Sequence, residues 1–212
     1  WERSYTGQQR QRVPYTPQSP IDKITEGIRL ETNARSKAKL LFQRCQMYEH
    51  EREFQKAIDD LTEAMGLDPK ANNEINGTFF AFRGELYRKS SQFQKAINDF
   101  TEAIRLDPED PNAYTARSQA YSELDRWEEA LCDLDQVIRL DPQNAVAHNN
   151  RGSAYYQVGR SELAIANYNE AIRLEPGRAV AYENRGFTYR DVGKLQEAER
   201  DFQKAKQLRH EP

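Results

Sequence analysis

The segment HNNRGSAYYQVGRSELAIANYNEAIRLEP, residues 148–176, decides the fold, because nearly the same text returns thirty-four residues later. That second copy, YENRGFTYRDVGKLQEAERDFQKAKQL, occupies residues 182–208. Counterparts of the final AIRLEP also occur upstream, as VIRLDP (137–142), AIRLDP (103–108) and AMGLDP (64–69). The chain is therefore repetitive, and the repeat must be defined before any other feature is interpreted.

Counting back from each proline gives five repeats of thirty-four positions: 38–71, 77–110, 111–144, 145–178 and 179–212. An insertion, 72–76, separates the first two. Position 11 is Tyr and position 20 is Ala in all five repeats, and position 8 is always small. The conserved spacing within the chain, at positions 4, 7, 8 and 11 and again at 20, 24, 27 and 28, predicts two helices that pack face to face. The Asp-Pro or Glu-Pro pair ends the second helix.

These positions resemble the tetratricopeptide repeat family, and the resemblance covers residues 38–212. It implies an all-α fold, a right-handed α-solenoid (superhelix) of five helix-turn-helix repeats. Position 4, often Trp in the family, is here Leu41, Phe80, Tyr114, His148 and Tyr182.

Both ends of the array carry a predicted capping element, since a solenoid must cover its end faces. Residues 20–36 repeat the pattern of a second helix, with Ser19 as N-cap and Pro20 in the first turn, and predict a leading helix that packs on repeat one. At the other end, Glu199 and Lys206 replace apolar residues on the face that a further repeat would bury. We interpret them as a polar C-terminal cap.

Arginine occupies position 7 of every repeat, where the family commonly has Leu. An unpaired guanidinium on a packing face is costly, and position 23 of the second helix offers a carboxylate in four of the five repeats. The sequence therefore predicts a structural ladder of pairs: Arg44 with Asp60, Arg83 with Asp99, Arg117 with Asp133, Arg151 with Asn167, and Arg185 with Asp201. An arginine-lined anion groove is the alternative. Because Asn167 carries no charge, Arg151 should find another partner.

Composition argues against several classes of protein. The formal net charge is −3 and the mean hydropathy −0.98, so neither a global basic surface for nucleic acid nor an apolar membrane segment is visible. No phosphate loop or metal motif occurs, and the three histidines are scattered. We expect no enzyme, no cofactor and no metal site, with His148 structural and Cys45 and Cys132 reduced. A soluble intracellular protein is favoured.

The family resemblance places the first helix of each repeat along a concave groove. Positions 2, 5, 6, 9, 12 and 13 would line it, and they predict a polar groove of mixed charge. The candidate residues are Lys39, Gln46, Thr78, Glu85, Arg88, Asn112, Thr115, Gln119, Asn149, Asn150, Ser153, Tyr156, Glu183, Asn184, Phe187 and Arg190. Asn150 and Asn184 resemble asparagines that hold peptide backbones in related arrays, although Asn is also a common solvent-tolerant choice. The basic residues of a chaperone-tail clamp are missing.

Residues 1–19 form a predicted extended or disordered tail with a charge of +2, from three Arg and one Glu. It could be a plain linker or a ligand for its own or a neighbour's groove. The leading hypothesis for function is a protein-interaction scaffold that binds a peptide or helical segment of a partner in the groove. The alternatives are a scaffold that self-associates through residues 1–19 and a regulatory domain of a larger protein.

Overall fold

Eleven helices and no strand make up residues 19–67 and 73–210, the part of the chain that the computed structural model describes. The all-α prediction is confirmed. The helices are α1 (Pro20–Leu30), α2 (Ala34–His50), α3 (Phe54–Leu67), α4 (Asn73–Lys89), α5 (Phe93–Leu106), α6 (Pro111–Ser122), α7 (Trp127–Leu140), α8 (Ala145–Gln157), α9 (Ser161–Leu174), α10 (Ala179–Asp191) and α11 (Leu195–His210).

The helices pack as five consecutive pairs behind the single helix α1. Each pair makes its largest contact internally, α2 with α3 through α10 with α11, and each second helix then packs on the first helix of the following pair. Small residues allow these close approaches, because Ala57, Ala96, Ala130 and Ala164, all at position 20, have no exposed surface. The core is thus a series of hydrophobic clusters between neighbouring helices.

Two helix boundaries differ from the sequence-based ranges. The leading helix ends at Leu30 and not at residue 36, and α2 begins at Ala34. Asn33 causes the early start, since its side chain accepts a hydrogen bond from the Ser36 backbone N–H at 3.0 Å and caps α2. Ser19 caps α1 in the same way, in a capping box with Asp22.

The insertion between repeats one and two contributes to a helix. Residues 73–76 form the first turn of α4, which has 17 residues like the first helix of repeat one, α2, whereas α6, α8 and α10 have 12 or 13. Residue 72 and the proposed tail up to residue 18 lie outside the described residues. The hypotheses that depend on the tail therefore stay predictions.

Each position-7 arginine lies against the second helix of its own repeat. Four of them hold an aspartate through both Nε and Nη2, with N–O distances of 2.6–2.9 Å: Arg44–Asp60, Arg83–Asp99, Arg117–Asp133 and Arg185–Asp201. The aspartates are buried. Burial raises the pKa of Asp133, and the hydrogen bonds from Arg117 act against that rise. Such a forked pair is favourable only while both partners are present.

The third nitrogen of each arginine reaches the preceding helix pair. Nη1 donates to a side chain at position 25 of the previous second helix: Arg44 to Thr25, Arg83 to Thr62, Arg117 to Thr101, Arg151 to Asp135 and Arg185 to Asn169, at 2.5–3.2 Å. In repeat four, Arg151 donates Nε to Asn167 Oδ1 and pairs with the carboxylate of Asp135. Each guanidinium thus connects its repeat to the preceding one or, for Arg44, to the leading helix α1, and the neutral Asn167 is compensated by a charge from the preceding repeat.

Positions 8 and 24 are complementary in size within each repeat. Glycine faces an aromatic ring in three repeats, and a Cβ added to Gly152 would lie 2.7 Å from Cε1 of the buried Tyr168. The same holds for Gly84 with Phe100 and Gly186 with Phe202. The other two repeats have a larger residue opposite leucine, Cys45 with Leu61 and Ser118 with Leu134. The two helices of each repeat are therefore matched to each other in side-chain size at this contact.

The two cysteines should differ sharply in reactivity. Cys45 has no exposed surface, and burial raises the pKa of its thiol to about 12, whereas Cys132 is exposed. Since the thiolate is the reactive form, we expect iodoacetamide at pH 8 to modify Cys132 in the folded protein and Cys45 only after unfolding. Intact mass should show one adduct in buffer and two in urea. Rapid addition of two groups to the folded chain would contradict this prediction.

Candidate functional site

Three pockets lie along the surface formed by the first helices of the pairs. The α1–α2 pocket, of about 490 Å³, includes Ile24, Gln46 and Met47 in its lining. The α4–α6 pocket has about 310 Å³ and the α6–α8 pocket about 260 Å³. All three include residues at the predicted groove positions, so the candidate site is this row of pockets.

Seven of the predicted groove residues line these pockets: Gln46, Thr78, Glu85, Asn112, Gln119, Asn150 and Ser153. They enter the site because positions 2, 6 and 9 recur on one face of each first helix. Lys39 is exposed and lines none of the three. The Thr115 hydroxyl turns back to donate to its own helix, at Pro111 O.

Several other candidates are already engaged by protein groups. Arg88 pairs with Glu85 at 2.7 Å, and Glu183 pairs with Arg209 of α11. Tyr156 donates its hydroxyl hydrogen to Asp191 Oδ2.

The two candidates nearest the C-terminus, Phe187 and Arg190, each stack on an aromatic ring. The Arg190 guanidinium lies 5.0 Å from the centre of the Phe187 ring, which packs edge-on against Phe202. These side chains shape the C-terminal end of the surface, where the Phe187 ring is exposed.

A network of amide and hydroxyl groups connects α8 with α10 next to the α6–α8 pocket. Asn184 Nδ2 donates to Asn149 Oδ1 at 3.2 Å and to Ser153 Oγ at 3.4 Å, and Asn149 Nδ2 donates to Asn150 Oδ1 at 3.3 Å. Tyr168 completes it by donating to Ser153 Oγ at 3.3 Å. Asn149, a predicted groove residue, is buried at 6% exposure and supports its neighbours from below. Fixed dipoles of this kind can hydrogen-bond a peptide backbone without a further ordering cost.

The groove is less polar at its N-terminal half than the sequence analysis predicted. Phe42 stacks on Phe79 at 5.3 Å between ring centres and meets Phe82 edge-on at 5.5 Å. The α4–α6 pocket next to them is lined by Ala81, Phe82, Ala113 and Ala116, among others. Sequence reasoning selected polar residues at positions 5 and 6 and passed over these. The signal was present, since both positions are apolar in repeat two.

Other kinds of site find little support in residues 19–67 and 73–210. No group of three or more His, Cys, Asp and Glu side chains there could hold a metal ion. His148 is buried, and its Nε2 lies 3.2 Å from the carbonyl oxygen of Pro142, as a packing residue would. Over the same residues no helix has the length and apolarity to cross a membrane.

Sequence models of the repeat match most of the array. A model described as TPR repeat matches residues 84–125 and 119–159. Two models described as tetratricopeptide repeat match residues 145–178 and 179–210. No curated protein sequence matches the chain significantly.

Solved structures with the same fold include three that illustrate its range. MamA has 25% identity and a TM-score of 0.71, covering 78% of this chain and 94% of its own. YrrB, described as a TPR protein with an unusual peptide-binding site, has 20% identity and a TM-score of 0.68, covering 89% and 93%. A tetratricopeptide repeat protein from Parabacteroides merdae has 22% identity and a TM-score of 0.77, covering 91% and 73%.

Proposed function

The chain belongs to the tetratricopeptide repeat family, whose arrays act as protein-interaction scaffolds, and from this premise we propose that it binds an extended peptide segment of a partner protein in the groove. The observation that carries the proposal is the amide and hydroxyl network of repeats four and five. It presents the oriented side-chain amide of Asn150 at the edge of the α6–α8 pocket, while the Ser153 hydroxyl is fully used inside the network, donating to Asn149 O and accepting from Asn184 and Tyr168.

An extended peptide suits such a surface because its backbone offers a donor and an acceptor at every residue. Asparagine can both donate and accept, so Asn150 can pair with either backbone group. YrrB shares the fold and is described as having a peptide-binding site, which supports the same mode of binding for this chain. The proposed role is therefore that of a non-catalytic scaffold.

A display experiment with the full chain tests this proposal. A library of random 16-residue peptides would be selected on the immobilised protein, and the affinity of enriched peptides measured by fluorescence anisotropy. We expect Asn150→Ala to weaken binding by about tenfold, the loss of one or two hydrogen bonds to a ligand backbone. The matched control is Asn98→Ala, an exposed asparagine on α5 whose amide meets only Gln94.

Two results would count against groove binding. One is enrichment of peptides that bind Asn150→Ala and the parent protein equally well. The other is no enrichment at all; sedimentation equilibrium of the full chain would then show whether the self-association hypothesis takes its place. Circular dichroism must first show that each variant is folded.

A further inference from the structure

The α4–α6 pocket has the chemistry to accept a large apolar side chain. Alanines at Ala81, Ala113 and Ala116 leave the space, and Phe82 and Phe100 supply aromatic walls. Its volume of about 310 Å³ is generous, since an apolar cavity of about 150 Å³ already accommodates benzene. The lining also holds two carboxylates: Glu85 forms an ion pair with Arg88, and Asp110 caps α6 by accepting a hydrogen bond from the Asn112 N–H. Burial of a leucine- or phenylalanine-sized group there would be favourable.

The α6–α8 pocket has a different lining that favours a cation. Its polar groups are hydroxyls and amides together with one carboxylate, that of the exposed Glu123. Glu123 is the sole charged residue of the lining, and Arg88 of α4 is close enough to interact with it electrostatically. Gln119 and Asn150 add amide oxygens that can accept from a cationic donor. Trp127 and Leu134 form the apolar part. A lysine or arginine could place its aliphatic stem and cationic head against Trp127 while donating to Glu123.

Helix α6 fixes the separation of the two pockets. Ala116 lines the first, and Glu123, the C-cap residue of the same helix, lines the second, seven residues further along the chain. At a rise of 1.5 Å per residue, they are about 10 Å apart along the axis. The pockets lie on opposite flanks of α6, so the distance between them exceeds this axial component, and an extended peptide that advances about 3.3 Å per residue would need three or more residues to span them.

We infer that the groove selects an extended peptide that carries a large apolar side chain and, three or four residues away, a lysine or arginine. This inference rests on the proposed function and names the ligand class of the same groove. The apolar group occupies the α4–α6 pocket and the basic group meets Glu123. The amide network beyond the second pocket then holds the peptide backbone.

The test uses the same display library with two further full-chain variants. Ala116→Leu fills the apolar pocket, and Glu123→Lys reverses the charge of the second. Matched controls are Ala166→Leu and Glu162→Lys, which place the same changes at exposed positions of α9. The parent chain should enrich peptides with the apolar–basic pair at a separation of three or four residues.

The decisive comparison measures the affinity of three peptides. They are one enriched peptide, the same peptide with alanine at the apolar position, and the same peptide with glutamate in place of the basic residue. Ala116→Leu should weaken the parent peptide at least tenfold and affect a peptide with alanine at the apolar position much less. Glu123→Lys should weaken the parent peptide at least tenfold and favour the form with glutamate in place of the basic residue. Both controls should bind as the parent chain does.

The failure of this inference can be distinguished from that of groove binding. If Asn150→Ala weakens binding while Ala116→Leu and Glu123→Lys do not, a peptide binds the groove but these pockets do not select it. Enriched peptides that lack the apolar–basic pair would overturn the inference in the same way. If none of the three variants changes the affinity, or no peptide is enriched, both proposals are wrong.

Discussion

Replacing Asp133 by alanine is expected to lower the free energy of unfolding by about 3 kcal/mol, in a urea titration followed by circular dichroism. The change leaves the Arg117 guanidinium half-buried without its carboxylate, and an uncompensated buried charge is among the most destabilising changes known. Arg117 cannot readily leave, because it lies between the rings of Tyr114 and Tyr121, 5.8 Å from each centre. The matched control Asp59→Ala, at an exposed position of α3, should change stability by less than about 0.5 kcal/mol.

Repeat four supplies a second arm of this experiment. There Asn167 stands in the aspartate position and Asp135 supplies the charge. Asp133→Asn should therefore destabilise by less than Asp133→Ala, and adding Thr101→Asp should recover part of the loss, because that pair recreates the arrangement of repeat four around Arg117. If Asp133→Ala costs no more than the exposed control, the arginine ladder does not stabilise the array.

Substitution of Gly152 by alanine should cost about 2–3 kcal/mol, although alanine is the better helix former by about 1 kcal/mol. The new Cβ would lie 2.7 and 2.8 Å from Cε1 and Cδ1 of Tyr168, whose ring is 1% exposed and has no room to withdraw. Overpacking of this kind forces the two helix backbones apart. The midpoint of urea unfolding gives the measurement.

Combining this change with Tyr168→Leu separates steric overlap from other causes. Tyr168→Leu alone leaves a cavity and should destabilise by itself. In that background, however, Gly152→Ala should be neutral or stabilising, because a non-glycine residue opposite leucine is already the arrangement of Ser118 and Leu134 in repeat three. An undiminished cost in the double variant would mean that the ring is not what glycine makes room for.

The features that recur in every repeat could be predicted from the sequence. Five copies of one pattern define the helix pairs, the small positions and the arginine with its partner sixteen residues later, since each copy tests the others. Prolines and N-caps such as Ser19 locate helix ends for local reasons. The start of α2 was missed because Asn33 lies outside the repeat pattern and acts through a single side-chain hydrogen bond.

The remaining differences involve contacts between repeats. The residue that accepts from arginine Nη1 is Thr in three cases and Asp or Asn in the other two, and its link to the next arginine became apparent only in three dimensions. Asn149 looked like a groove residue by its position, yet the neighbouring helix α10 covers it. The apolar pocket arises because alanines on two helices leave space between them. A sequence search for polar groove residues does not reveal such a space.

The size matching of positions 8 and 24 bears on how such an array can change by duplication and recombination. Gly152 fits Tyr168 within its own repeat, whereas the contact with the preceding repeat is made by an arginine that donates a hydrogen bond to an oxygen of Thr, Asp or Asn. A whole repeat can therefore be duplicated or exchanged with its internal fit intact. A crossover between the two helices that joins repeat one or three to one of the other repeats would place Cys or Ser opposite a ring, or glycine opposite leucine. The helix pair is therefore the unit that can be duplicated or exchanged, because the steric fit lies within it.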